Sequence, residues 1–149
     1  MKATCQCGTC SIETRQVPKT RLQCHCTICQ AFTQASCSDV AIIPAARVTM
    51  RNADMIVFKH YKKLRFPPPN LRRGRCRNCA QPFVETWGFG PIKMLFMRAV
   101  TFERPDLLPP VGAHVFYEHH RNDADDTVPR YEGSFDSQQA IGRLILGAL

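Results

Sequence analysis

Apolar and polar residues alternate along this chain in runs too short for most helices. Ser11 to Val17 alternates, Ser36 to Ile43 mixes β-branched and small residues and stops at Pro44, and Met55 to Tyr61 alternates again. A period of two over four to eight residues is that of a strand with one buried face. Phe83 to Phe89 and Lys93 to Val100 predict a hairpin turning at Gly88-Phe89-Gly90-Pro91, and Ala113 to His119 predicts another strand with Val115 and Tyr117 on one face. Helical spacing is confined to Gln30 to Gln34 and to Ser137 to Leu146. Phe66-Pro67-Pro68-Pro69-Asn70 fits neither pattern, because proline lacks the backbone donor and fixes φ, so it predicts an extended surface connector.

Short strands, long loops and a short C-terminal helix predict an all-β domain. The 149 residues make one domain, 1–149, large enough to bury its own core. A hydrophobic fraction of 44% with 21% charged residues excludes a disordered or low-complexity chain. The longest apolar stretches, Ala41 to Ala46 and Leu144 to Leu149, fall far short of the roughly 18 residues of a membrane span. Nine cysteines, an odd number, with the first at position 5 and no leader-like segment before it, predict a reducing, cytoplasmic setting rather than a disulfide framework.

Seven of the nine cysteines fall into three clusters: Cys5-x-Cys7, Cys24-His25-Cys26-x-x-Cys29 and Cys76-x-x-Cys79. Thiolates at such spacings converge on one cation, because a C-x-C pair in extended chain points both sulfurs to one side and a C-x-x-C pair curls around a turn. Zinc is the expected ion, two per chain. The two outer pairs supply four ligands, enough to close a tetrahedral structural site. The triplet supplies three, which matches a catalytic site with an open position. The competing reading of the triplet is a second structural site closed by Cys10, Cys37 or His60. Cys10 and Cys37 otherwise read as small buried residues, and His25, between two ligands, is expected to point its ring away from the metal. His119 and His120 read as a strand end reaching solvent, and Trp87 as a core residue of the hairpin.

The formal charge of +8 falls to roughly +5 once seven thiolates and two zinc ions are counted. The excess is local: Lys59, Lys62, Lys63, Arg65, Arg72, Arg73, Arg75 and Arg77 lie between Lys59 and Cys79 with no acidic residue among them. A solvated loop is one reading. Nucleic-acid binding is weaker, because only Tyr61 and Phe66 are interleaved as stacking residues.

The order C-x-C-G at Cys5 to Gly8, C-H-C-x-x-C at Cys24 to Cys29, C-x-x-C at Cys76 to Cys79, and a strand beginning His114-Val115-Phe116 resembles the glutathione-dependent formaldehyde-activating family, also called centromere protein V-like, over roughly residues 1 to 133. The resemblance implies a β-tent of small antiparallel sheets stapled by zinc. It implies a structural zinc on Cys5, Cys7, Cys76 and Cys79, and a catalytic zinc on Cys24, Cys26 and Cys29. It also implies a carbon-sulfur lyase, an S-(hydroxymethyl)glutathione synthase joining formaldehyde to the thiol of glutathione. This chain departs from the pattern at Ala80, where the family has glycine, and at His119 to Asp123, where it usually has a tryptophan.

In that chemistry an open zinc position strips the proton from an incoming thiol and holds its sulfur, and a guanidinium of the basic run would grip a glutathione carboxylate. Two other functions compete: a non-catalytic zinc module binding protein or nucleic acid through the basic loop, and a redox sensor that releases zinc when Cys24, Cys26 or Cys29 is oxidised.

Overall fold

The computed structural model of the protein describes residues 1–60 and 71–149. The proline-rich connector, with Tyr61, Lys62, Lys63, Arg65 and Phe66, lies outside the described residues. The strands are β1 (Lys2–Thr4), β2 (Ser11–Thr14), β3 (Thr20–Cys24), β4 (Ser38–Pro44), β5 (Val48–Arg51), β6 (Ile56–Lys59), β7 (Arg72–Cys76), β8 (Pro82–Trp87), β9 (Met94–Arg98), β10 (His114–Val115) and β11 (Arg130–Tyr131). The helices are α1 (Thr27–Thr33) and α2 (Ser134–Ala148). No helix among the described residues is long and apolar enough to cross a membrane.

The protein is mostly β, as expected, but the strands among the described residues form two sheets of unequal size. β1-β2-β5 is a small antiparallel sheet, and β11-β10-β3-β4-β9-β8-β7-β6 is one sheet of eight. The larger sheet departs from the expected small antiparallel pieces also in that β10 pairs in parallel with both β3 and β11.

The predicted hairpin forms as β8 and β9, with Val84 opposite Met97 and Trp87 opposite Met94. The segment from Ala113 does not run on as a strand to His119. Phe116 takes a left-handed conformation at φ 54, which ends the pairing, and Tyr117–His119 is a single tight helical turn. His119 and His120 are therefore corrected from strand end to turn. β3 and β7 were illegible as strands because TRLQC and RRGRC are polar. Their places are set by neighbours, β3 lying against β4 and β7 between β6 and β8.

The large sheet is covered on both faces. From β4 and β9, Ala41, Ile43, Leu95 and Met97 pack with Ala3, Ile12 and Phe102 beneath the small sheet. The alternate residues Val40, Ile42, Met94 and Phe96 pack with Leu22 and Val115 against α2. Strands buried on both sides lose the in-out alternation and read as continuous apolar runs, as in Val40-Ala41-Ile42-Ile43 and Met94-Leu95-Phe96-Met97. α2 faces the sheet with Ser137, Ala140 and Ala148 buried and Ile141, Leu144 and Ile145 packed beside them. That spacing of three and four residues is one stripe of a helix. Arg47 donates to the carbonyl oxygen of Ala148 at 3.2 Å, placing a cation at the helix C-terminus where the unpaired carbonyls are negative.

Candidate metal centres

The seven clustered cysteines come together in two groups, on opposite faces of the large sheet. In the first, the sulfurs of Cys5, Cys7, Cys76 and Cys79 all lie within 4.8 Å of one another. Cys5 Sγ is 3.6 Å from both Cys7 Sγ and Cys76 Sγ, and Cys7 Sγ is 3.7 Å from Cys76 Sγ. Four thiolates at a zinc–sulfur distance near 2.3 Å sit about 3.8 Å apart in a tetrahedron, so this set fits a closed zinc site.

Two tight loops build it. The amide of Gly8 bonds the carbonyl of Cys5, and the amide of Ala80 bonds the carbonyl of Cys76. Each loop closes on a residue in the left-handed region, Gly8 at φ 77 and Ala80 at φ 56. The backbone amide of Cys10 donates to Cys5 Sγ at 3.1 Å. Cys10 is fully buried, as expected, but its sulfur lies 3.7 Å from Cys76 Sγ, so it packs against this group and not the triplet.

In the second group the sulfurs of Cys24, Cys26 and Cys29 lie within 4.8 Å of one another, with Cys29 Sγ 3.4 Å from Cys24 Sγ. β3 ends at Cys24, and Cys26 caps α1 by accepting the Cys29 amide at 3.3 Å. This set also fits zinc. Among the described residues no fourth side chain completes it: Cys10, Cys37 and His60 all lie outside the group. The Cys26 thiol is driven well below the usual range, first by hydrogen bonds from the Cys24 and Cys29 thiols, with Arg73 adding to it. The Cys24 thiol is pushed the other way, up, first by its hydrogen bonds with Cys26 and Cys29.

Two features near the triplet were not foreseen. First, Arg73 of the basic run faces inward. Its Nη2 donates to Cys29 Sγ at 3.3 Å and its Nε pairs with Glu85 Oε2 at 2.9 Å, with side chains 7% and 3% exposed. Burial pushes the Glu85 carboxyl up to about 7 against the pull of Arg73. The sequence signal was Glu85 itself, a charge inside the apolar run Phe83-Val84-Glu85-Thr86-Trp87, which demands a buried partner. Arg75 is also committed, donating to the carbonyl oxygens of Phe32 and Ala80, and Arg72 lies over the Phe58 ring.

Second, His25 does not face solvent. It is buried, with its Nε2 3.0 Å from Nδ1 of His114, whose Nε2 lies 3.1 Å from the Asp126 carboxylate. An extended chain would turn the ring outward, but β10 and the Tyr117 turn lie over this side and supply partners there. Tyr117 meets His25 edge-on and stacks on His120 at 4.3 Å. Gln30 Nε2 ties the carbonyl oxygens of His25 and His119 together.

No curated protein matches this chain. Among solved structures, a Rhodobacter sphaeroides protein is similar over 88% of this chain and 99% of its own, at 17% identity and a TM-score of 0.53, a likeness of fold. The sequence model of a family described as glutathione-dependent formaldehyde-activating enzyme matches residues 1–119, a span that holds both cysteine groups, Arg73 and Glu85. The chain therefore belongs to the glutathione-dependent formaldehyde-activating enzyme family.

Proposed function

We propose that the protein is a zinc-dependent carbon-sulfur lyase that joins formaldehyde, or a related small electrophile, to the thiol of glutathione at the Cys24, Cys26, Cys29 centre. The observation that carries this reading is the ligand count of that group: three sulfurs and, among the described residues, no fourth. Zinc held there would supply an acidic position at which an outside thiol ionises and stays nucleophilic. In the reaction the thiol loses its proton, its sulfur forms a bond to the carbonyl carbon, and the carbonyl oxygen gains a proton.

The chain's residues have separate tasks. Cys24, at the end of β3, and Cys29, in α1, hold the centre at the seam between sheet and helix, and Cys26 joins them while capping that helix. Arg73 donates to Cys29. The quartet of Cys5, Cys7, Cys76 and Cys79 ties the start of the chain to the end of β7, a staple remote from the chemistry. The runner-up is a non-catalytic module binding through its basic loop; against it, Arg73 is buried beside Cys29 and Arg75 is engaged with the carbonyl oxygens of Phe32 and Ala80.

The test follows S-(hydroxymethyl)glutathione formation by zinc-loaded protein against the spontaneous rate. A rate increment proportional to protein and absent in Cys26→Ser is expected. No increment with glutathione or another cellular thiol would remove the assignment.

A further inference from the structure

Arg73 and Glu85 form an ion pair at 2.9 Å with both side chains almost wholly buried. The two residues are direct register partners on β7 and β8. Replacing a buried ion pair by packed hydrophobic residues is often neutral or stabilising, so charges retained here call for another account. The geometry provides one. The guanidinium uses two of its edges, Nε toward Glu85 and Nη2 toward Cys29 Sγ. Ser38 Oγ approaches Glu85 Oε1 from the far side at 3.4 Å, and Ser38 is itself the register partner of Cys24. Glu85 thus acts as a bracket that aims a fixed cation at one member of the triplet.

We infer that Arg73 is a positioning residue of the triplet centre, whose charge offsets the thiolates and lets an anionic outside sulfur join them. Three thiolates on a divalent cation carry one net negative charge, and a fourth thiolate brings a second. At a site where Cys29 and Arg73 are both buried, this repulsion is poorly screened. A guanidinium 3.3 Å from one sulfur relieves it without occupying the open position. A guanidinium keeps its proton even when buried, and Glu85 stands beside it as counter-charge. Lysine would place a point charge where the guanidinium presents separate nitrogens to Glu85 and Cys29.

The inference rests on the proposed open position, and the experiment separates the two. Reduced protein is loaded with cobalt(II) in both centres, and the sulfur-to-cobalt charge-transfer band is followed while glutathione or 2-mercaptoethanol is added. The second thiol has no carboxylate. The variants are Arg73→Lys, which keeps the charge, and the double variant Arg73→Met with Glu85→Gln, which removes both charges together. Arg73→Gln takes the place of the double variant if the latter does not hold two ions.

Native protein is expected to bind both thiols. The uncharged variant should lose about tenfold or more in affinity for each, and Arg73→Lys should recover most of it. Unchanged affinity in the uncharged variant overturns the inference alone, as does a loss confined to glutathione, which would make Arg73 a carboxylate contact. Native protein that holds two cobalt ions and takes up neither thiol overturns the open position itself.

Discussion

His25 Nε2 and His114 Nδ1 stand 3.0 Å apart in a buried contact between residues 89 positions apart. The Asp126 carboxylate accepts from His114 Nε2, and of the two facing ring nitrogens one donates and the other accepts. Burial and, behind it, the neighbouring His114 and His120 hold His25 down at about 4, so at neutral pH it is uncharged.

Replacing His114 by Leu should leave His25 Nε2 buried without its hydrogen-bond partner, and lower stability by about 2 kcal/mol in urea unfolding of the metal-loaded protein. Asp126→Asn should cost under about 1 kcal/mol, because that side chain is 38% exposed and water replaces what it loses. Equal stability of His114→Leu and the native chain would show that the imidazole pair contributes nothing.

Ala80 closes the second cysteine loop at φ 56, a conformation that costs a residue with a Cβ about 1 kcal/mol and glycine little. Ala80→Gly is expected to raise stability by about that amount. The mirror change, Gly8→Ala, meets no atom within 4 Å, so its cost, also about 1 kcal/mol, is backbone strain alone. Thermal melts of the two variants should move in opposite directions.

Metal stoichiometry distinguishes the two groups. Native protein purified with its thiols reduced should contain two zinc ions, Cys76→Ser should lose the ion of the quartet, and Cys26→Ser that of the triplet. Cys37→Ser should retain both, since Cys37 lies outside the triplet. A drop to one ion in Cys37→Ser, counted by atomic emission, would mean that the protein itself closes the second centre.

Gly74 lies opposite Phe58 where β7 meets β6. A Cβ there would come within 2.7 Å of Ile56 Cγ2 and 2.8 Å of Phe58 Cε1. Gly74→Ala should cost about 1–3 kcal/mol through overpacking of that edge. Because Gly74 follows Arg73, the displacement should also disturb the Arg73–Cys29 contact. Denaturant titration alongside the cobalt charge-transfer band would read both effects.

Local readings of the chain succeeded where the cause was local. The turn at Gly88 to Pro91 lies between two apolar runs, and the hairpin formed there. The stripe from Ser137 repeats at helical spacing, and α2 formed there. Arg72 to Cys76 failed for the opposite reason. Nothing in Arg-Arg-Gly-Arg-Cys favours a strand, and the segment becomes one because β6 and β8 offer backbone partners on both sides. The strand from Ala113 stops at Val115, because Phe116 takes a left-handed conformation and Tyr117–His119 turns away.

The spacing of the seven cysteines, by itself, determined that sulfurs gather locally as a pair, a triplet and a pair, because ligands two or three residues apart are brought together by the chain's own covalent geometry. That the two pairs meet in one group of four is a contact between Cys5, Cys7 and Cys76 made by the assembled sheets. Only the tertiary structure decided what surrounds those sulfurs. Arg73 beside Cys29, Glu85 behind Arg73, and His114 with Asp126 behind His25 are joined across tens of residues by strand register and by the burial of their charges. Such contacts depend on the whole sheet being assembled, and no short stretch of sequence encodes them.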